Sequence, residues 1–269
     1  AKMSLPTIVS FWHGPMSWLE RLSIASFHRH GHRVEVYSYE PIPGLPPEAV
    51  QCDAASVLGR EKLVFYKGRG TPGVFSDYFR MSLLRQSRGI YADLDVYCVR
   101  PLTPPPSGYL MAYERPGSVN GAVLLIPPDA PLLNDLLAIF EQGKRPLLEP
   151  HLPPLRKAEV AIRRLFGDPV PPEHMQYGAT GPMALTYYVH RRGLDAQVRP
   201  QSVLYPIPYE GIPALMEPGS SVDAAIKPDT LAVHIWRSQL TRRGRAEMPL
   251  PPPGSALDEL CRREGVVLG

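Results

Sequence analysis

The chain has 269 residues, a net charge of +3 at pH 7 and 44% hydrophobic residues, which suit one large α/β domain or two small ones. So small a charge argues against nucleic acid as a partner, and the longest apolar runs fall short of the ~18 residues of a spanning helix. Three widely spaced cysteines and an N-terminus without a signal-peptide pattern argue against a disulfide framework and favour the cytoplasm.

The first forty residues predict a strand, a helix and a second strand. Residues 7–12 form an apolar run, and Ser17 with Glu20 three positions later is a capping box that opens a helix ending at His30-Gly31. Residues 33–39 then alternate between apolar and polar side chains. This succession predicts a βαβ unit and a parallel sheet.

The next thirty residues are rich in loops, with a short third strand expected within residues 52–58. Residues 67–73, KGRGTPG, lack the Lys-Ser/Thr ending of a phosphate-binding P-loop and predict a mobile loop instead. No GxGxxG turn follows the first strand, which argues against a dinucleotide enzyme.

Residues 75–102 carry the strongest signal in the chain. We expect Ser76 to cap a helix that begins at Asp77, with Arg80 on the same face, and Gly89 to end that helix. The following strand runs through residues 90–96.

That strand contains Asp93 and Asp95, whose side chains point to one face because strand residues alternate. Two neighbouring carboxylates resist joint ionisation unless a positive group lies between them. The pair therefore predicts a site for a hard divalent cation, Mn²⁺ or Mg²⁺.

Beyond this stretch the pattern predicts strands at 109–112 and 122–126, with Asn120-Gly121 at the mouth of the second, and a helix at 131–140. A helix at 183–191 follows Gly178-Ala-Thr-Gly-Pro182, whose free amides, Gly181 included, suit an anion or a sugar hydroxyl. The last strand, 231–236, places His234 and Trp236 on one face. His234 is a structural histidine or a third metal ligand.

Residues 155–166, LRKAEVAIRRLF, predict a basic amphipathic helix. Such a helix suits peripheral contact with an anionic inner membrane or, in the simpler interpretation, an ordinary solvated surface.

Trp12 ends the first strand, where an aromatic base can stack on it or where it can simply pack in the core. Ser76-Asp77-Tyr-Phe-Arg80, followed by Arg88-Gly89-Ile-Tyr91-Ala-Asp93-Leu-Asp95, resembles the DxD-containing sugar-transferase family. That family includes initiation-specific mannosyltransferases and the catalytic domains of large clostridial glucosylating toxins. The chain departs from the family pattern in having Arg88 for the first glycine, and the match is patchy beyond residue 102.

The resemblance implies an α/β fold of the GT-A, Rossmann-like type with a mixed, mainly parallel central sheet. It implies one domain over residues 3–269, with a nucleotide-binding half at 5–102, an acceptor-side half at 103–240 and a tail at 241–269. The implied activity is metal-dependent, retaining transfer of a hexose from a nucleotide sugar, commonly UDP-linked, to a glycan, glycolipid or protein hydroxyl.

The resemblance also assigns roles to single residues. Asp93, Asp95 and His234 would hold Mn²⁺ or Mg²⁺, with Asp93 also reaching the ribose, and Arg80 joins the two aspartates as a catalytic residue. The donor would be bound by the side chains or amides of Trp12, Ser76, Asp77, Arg80, Tyr91, Asp93, Asn120, Gly181 and Trp236.

Two other functions stay open from the sequence. One is another metal-dependent nucleotidyl or phosphoryl enzyme, which would also use paired aspartates. The other is a catalytically inactive protein that binds a nucleotide sugar.

Overall fold

A computed structural model describes residues 4–62, 72–141, 150, 152–167, 180–241 and 247–268. Its strands are β1 Ile8–Phe11, β2 Val34–Ser38, β3 Ala49–Asp53, β4 Ile90–Ala92, β5 Val96–Cys98, β6 Leu110–Arg115, β7 Ser118–Leu125 and β8 Ala232–His234. Its helices are α1 Trp18–Arg29, α2 Pro72–Arg85, α3 Pro131–Glu141, α4 Pro154–Leu165, α5 Pro182–Arg191, α6 Gln201–Leu204, α7 Arg237–Leu240 and α8 Ala256–Arg263. Short 3₁₀ helices occupy Ala54–Ser56, Asp195–Gln197, Tyr209–Met216 and Asp223–Ala225.

Six strands form a mixed sheet in the order β3-β2-β1-β4-β7-β6. β1 pairs in parallel with β2 and β4, and β2 with β3, whereas β7 runs antiparallel to both β4 and β6. β5 and β8 form a separate antiparallel pair in which Val96 faces His234. The predicted α/β class with a mixed, mainly parallel, Rossmann-like sheet is therefore confirmed.

Side-chain alternation along the strands gives the sheet two apolar faces. Val9 and Tyr91 pack in one buried cluster with side chains of α2 and α3, while Ile8 and Ile90 pack in a second cluster with α1. A third cluster lies between α1, α8 and the β5–β8 pair. Because both faces are covered, the edge at which the strands end is where polar side chains can gather.

The first βαβ unit forms as the sequence predicts. The Ser17 hydroxyl accepts a hydrogen bond from the Leu19 N–H, and the Glu20 carboxylate accepts one from the Ser17 N–H at 2.8 Å. This capping box satisfies donors that the first helical turn leaves unpaired.

The predicted start of the second helix was wrong. α2 begins at Pro72, so Ser76 lies inside the helix instead of capping it. Proline suits the first helical turn because that turn needs no backbone donor at this position. Ser76 is a residue type that often caps helices, and this local preference gave no sign that α2 begins four residues earlier.

The predicted end of that helix was also wrong. Ser87, at φ 52°, closes the helix with N–H bonds from Ser87 to Leu84 and from Arg88 to Leu83, as in a Schellman motif. Gly89 serves a different purpose. Its φ is +153°, and a Cβ there would lie 2.3 Å from the Thr7 carbonyl oxygen, so glycine permits β4 to approach β1.

The expected continuous strand at 90–96 is two short strands joined by a turn. The Val96 N–H bonds the Asp93 carbonyl, so Asp93 opens this turn and Asp95 lies within it, just before β5. The alternation is nevertheless correct, because Ile90, Ala92, Leu94 and Val96 all belong to the same buried cluster.

Two smaller expectations need correction. The third strand lies at Ala49–Asp53, earlier than expected, because the Asp53 carboxylate accepts from the Ala55 N–H and starts a 3₁₀ helix. Asn120 lies within β7, not at its mouth. The loop at 67–71 and residues 178–179 lie outside the described residues.

Candidate metal and nucleotide site

The site is assembled where β1 and β4 end and where β8 meets β5. Trp12 follows β1, Asp93 follows β4, Asp95 precedes β5 and His234 is the last residue of β8. The carboxyl edge of a parallel sheet is the usual location of ligands in open α/β folds.

The three predicted metal ligands lie together. Asp93, Asp95 and His234 each offer a ligand atom, and these atoms are within 4.8 Å of one another. His234 Nε2 lies 3.1 Å from Asp95 Oδ1, and the other oxygen of Asp95 accepts the Arg237 backbone N–H at 2.9 Å. This geometry brings together residues 139 positions apart in the chain.

The chemistry of this cluster fits a divalent cation. Two carboxylates and an imidazole suit Mn²⁺, while the carboxylates alone suit Mg²⁺. His234 is buried, and its Nδ1 has no hydrogen-bond partner among the described residues, which is costly for a purely structural side chain. A bound cation would accept electron pairs of the two carboxylates and the imidazole that the hydrogen bonds described here leave free.

Asp95 and His234 shift each other's pKa. Burial opposes ionisation of Asp95, but the neighbouring His234 and the Arg237 N–H outweigh it and lower the pKa of Asp95. Burial favours neutral His234, yet the Asp95 carboxylate raises the pKa of the imidazole. Asp95 and His234 therefore each favour the charged form of the other.

Asp93 is held by two neighbours. Its Oδ1 accepts a hydrogen bond from the Tyr91 hydroxyl at 2.6 Å and another from Arg80 Nη2 at 3.1 Å. Burial raises the pKa of Asp93, with a further contribution from Asp95, although Arg80 acts in the opposite direction. A positive charge beside Asp93 would lower its pKa and so reduce the cost of ionising this buried carboxyl group.

Arg80 is the buried centre of the next layer of contacts. Its guanidinium lies 4.5 Å from the centre of the Tyr91 ring, and its Nη1 is 3.4 Å from Asp77. Asp77 also accepts the Thr180 hydroxyl at 2.8 Å, while burial raises its pKa. A Cβ at Gly121 would lie 3.1 Å from Arg80 Nη1, so that glycine leaves room for the guanidinium.

A cleft of about 510 Å³ opens beside this cluster. Of the predicted site residues, those that line it are Trp12, Ser76, Tyr91, Asp93 and Asp95. Its other walls come from β1, the first turns of α1 and α2, and Arg237. The volume is within the ordinary range for a small-molecule site.

Arg237 is a cleft residue that the sequence did not identify as functional. Its Nη1 bonds the buried carboxylate of Glu20 and lies 3.3 Å from the Ser17 hydroxyl, and its guanidinium is 5.7 Å from the centre of the Trp12 ring. The capping box of α1 thus anchors a cation in the cleft. The capping pair was visible in the sequence, but a partner 217 positions away was not.

Six predicted site residues lie outside the lining of the cleft: Asp77, Arg80 and His234, described above, and Asn120, Gly181 and Trp236. The Asn120 side chain donates a hydrogen bond to the Glu114 carboxylate and accepts one from the Ala122 N–H. The Asn120 backbone carbonyl accepts a hydrogen bond from the Tyr205 hydroxyl. Gly181 starts α5, where a Cβ would lie 3.3 Å from Asp77. These contacts place Asn120 and Gly181 behind the site.

Trp236, the last of the six, packs against His234, with ring centres 4.3 Å apart. Its backbone has φ 32° and ψ 84°, in the left-handed region that residues with a Cβ rarely adopt. Such strain is found preferentially at functional sites. The turn that it makes places the Arg237 N–H against Asp95.

Comparison with known proteins yields little. No protein-family model matches the chain, and no curated protein matches it. A similar solved structure is described as "PaToxG Glycosyltransferase"; it shares 16% identity and a TM-score of 0.47, over 72% of this chain and 73% of that chain. At this score the likeness carries no functional inference, so function must be inferred from the geometry of the site.

Proposed function

We propose that the chain is a metal-dependent glycosyltransferase that moves a hexose from a nucleotide sugar to a hydroxyl acceptor. The observation that carries this proposal is the cluster of Asp93, Asp95 and buried His234, whose two aspartates line the same cleft as Trp12. The resemblance of residues 76–95 to the DxD sugar-transferase pattern supports the same reaction. UDP is the proposed nucleotide, and a glycan, glycolipid or protein is the proposed acceptor.

Asp93, Asp95 and His234 would hold Mn²⁺ or Mg²⁺ in this proposal. The bound ion supplies positive charge to the diphosphate that leaves the sugar. Asp95 is held toward the ion site by the Arg237 N–H, and Asp93 by Tyr91 and Arg80, so the ligands are oriented before anything binds.

The two arginines would have different tasks. Arg80 is buried among Asp77, Tyr91 and Asp93, which suits a residue that positions Asp93. Arg237 has a side chain 30% exposed and lines the cleft, which suits a direct contact with the diphosphate. Charge that develops on the leaving group would be stabilised by this preorganised cation.

Trp12 would bind the nucleotide base by stacking. Its indole N–H is already bonded to the Gly14 carbonyl at 3.0 Å, which fixes the ring at the cleft wall. A stacked base contributes about 1–3 kcal/mol.

Retention of configuration is proposed to occur by substitution on one face of the sugar, with the leaving phosphate taking the acceptor proton. A double displacement would need a free carboxylate about 5 Å from a second acid. Glu20 lines the cleft, but both its oxygens are engaged, one by Ser17 and the other by Arg237. A covalent sugar trapped on any carboxylate would contradict this mechanism.

The decisive experiment screens nucleotide sugars for Mn²⁺-dependent release of UDP, with wild type compared with Asp95→Ala. We expect turnover to fall by about 10³-fold or more, since removal of a metal ligand removes the charge that stabilises the leaving group. Asp229→Ala is the matched control, because Asp229 is exposed, lies outside the cleft lining and accepts a hydrogen bond only from the Ser202 hydroxyl of α6 among the described contacts.

The products separate the two alternative functions. A nucleotidyl enzyme would break the diphosphate, release a sugar 1-phosphate and pass the nucleoside monophosphate to water or another acceptor, and a phosphoryl enzyme would release inorganic phosphate. Neither would yield UDP and a transferred sugar. An inactive binder would show Mn²⁺-dependent stabilisation by UDP-sugar without turnover. Either result would reject the proposed activity while leaving the metal site in place.

A further inference from the structure

Helix α4 presents its apolar side chains away from the protein. Leu152, just before the helix, and Val160 within it are 4% and 2% exposed. The large apolar residues on the outside are Leu155, Ile162, Leu165 and Phe166, with exposed fractions of 88%, 54%, 86% and 85%. A solvated surface helix has the opposite arrangement, with its apolar residues turned inward.

Helix geometry shows that these exposed side chains form one stripe. At about 100° of rotation per residue, Leu155, Ile162 and Phe166 fall within roughly 40° of one another, and Leu165 lies beside them. Val160 falls on the far side of the helix. We call this stripe of four residues the α4 face.

The helix also concentrates the positive charge of the chain. Residues 155–166 contain four basic side chains and one acidic one, so their net charge is 4 − 1 = +3. The whole chain has a net charge of +3, so the remaining residues balance to zero. Arg156 is engaged with Glu159 at 2.5 Å, whereas Arg164 is exposed.

The basic residues lie beyond both edges of the α4 face, and Arg164 is on the opposite side of the helix from Leu155. By the same rotation, Lys157 and Arg164 lie about 80–100° from Leu165 on one side, and Arg163 lies about 80° from Leu155 on the other. Long basic side chains can extend to phosphate groups while the apolar residues between them enter a hydrocarbon layer.

We propose that the α4 face binds an anionic lipid surface, with its four apolar residues inserted below the headgroups and the basic side chains of the same helix extended to the lipid phosphates. Charge complementarity favours this occupant, because the helix holds the chain's entire net positive charge beside an uncovered apolar stripe. In the described part of the chain, no helix has both the length and the apolarity to cross a bilayer, and surface binding needs neither. The proposal does not depend on the glycosyltransferase activity.

The test measures co-sedimentation of the full chain with vesicles of phosphatidylcholine alone and with roughly 40% phosphatidylglycerol. We expect binding to the anionic vesicles to exceed that to neutral vesicles by about tenfold or more. The double variant Leu165→Ser/Phe166→Ser should lose about tenfold or more of this binding, because it removes two inserted side chains. Arg164→Glu should weaken binding in a salt-dependent manner.

The matched control is Leu250→Ser/Val267→Ser, which alters two other exposed apolar residues, 56% and 72% exposed, and should bind like wild type. Unchanged circular dichroism and melting of all variants confirm folding. No binding of wild type to anionic vesicles would overturn the proposal, as would equal binding by the double variant. Sedimentation velocity completes the test: a dimer that the double variant abolishes, without vesicle binding, would assign the face to a second copy and also overturn it.

Discussion

The two ends of the parallel strands each hold a buried histidine, and the two histidines differ in their partners. At the amino end, His32 is bonded at both ring nitrogens, Nδ1 to the Pro6 carbonyl at 2.7 Å and Nε2 to the Leu102 N–H at 2.8 Å. At the carboxyl end, His234 bonds Asp95 through one nitrogen, and the other has no partner among the described residues. The amino end is complete within the protein, whereas the carboxyl end is prepared for a ligand.

The electrostatics follow the same division. Burial lowers the pKa of His32, which receives the Leu102 N–H on one nitrogen and is therefore neutral. The pKa of His234 is raised despite burial because Asp95 lies beside it. Burial of a histidine is therefore uninformative by itself, and the pairing of its two nitrogens distinguishes a structural role from a ligand role.

The largest effect on folding is expected at the amino end, for Gly89→Ala. The added Cβ would lie 2.3 Å from the Thr7 carbonyl oxygen at a φ that alanine rarely adopts, so we expect a loss of about 3 kcal/mol or more of unfolding free energy. Gly117→Ala is the control, since φ is +76° there and nothing lies within 4 Å, and it should cost about 1 kcal/mol. Equal losses in urea titrations would contradict this account.

The histidines should respond differently to Mn²⁺. His32→Ala leaves two backbone groups unpaired and should cost about 2–3 kcal/mol of unfolding free energy with or without the ion. His234→Ala should remove the added stability that the ion gives, which is about 2.7 kcal/mol at a hundredfold excess over the dissociation constant. Calorimetry in EDTA and in Mn²⁺ measures both. A Mn²⁺ effect that survives His234→Ala would exclude His234 as a ligand.

Arg237→Gln should reduce kcat/KM for the nucleotide sugar by about tenfold, because the cleft would lose the cation proposed to face the diphosphate. Arg33→Gln is the matched control, because Arg33 is 59% exposed at the amino end and should leave the kinetics unchanged. Identical kinetics for the two variants would remove Arg237 from the donor site.

The smallest expected effect is a pH dependence from His32. Its pKa is lower in the folded than in the unfolded chain, so the unfolded chain binds more protons and stability falls as the pH drops below about 6.5. The contribution is at most about 1.4 kcal/mol per pH unit for one proton. Urea titrations at pH 7.0 and 5.5 should show a shallower pH dependence for His32→Gln than for wild type. An equal change in unfolding free energy between the two pH values in wild type and His32→Gln would contradict a contribution from His32.

Some local patterns in the sequence predicted local structure correctly, and others did not. The Ser17–Glu20 cap depends on residues three apart, and the face of the Asp93 and Asp95 side chains depends on simple alternation. The turn that separates β4 from β5 was not predicted. We attribute it to the pairing of β5 with β8, which is far away in the sequence. Likewise, Ser76 matched a cap signal although the helix had already begun at Pro72.

Contacts between distant segments were beyond the sequence. Neither the Glu20–Arg237 pair nor the close approach of Gly121 to Arg80 leaves a local signal. The sequence predicted that residues 155–166 are amphipathic, but only the structure shows that Leu155 and Phe166 face outward. Amphipathicity determines that a helix has two faces, and the packing determines which one is covered.

The pairing of Val96 with His234 ties the candidate metal site to β8, the last strand of the described chain. A shift of β8 by a single residue would turn the imidazole to the opposite face, while both aspartates would stay in place. A growing chain would therefore contain two of the three proposed ligands long before the third has been synthesised. If the three residues bind manganese as proposed, affinity for the ion would distinguish correctly folded molecules from those in which β8 pairs out of register.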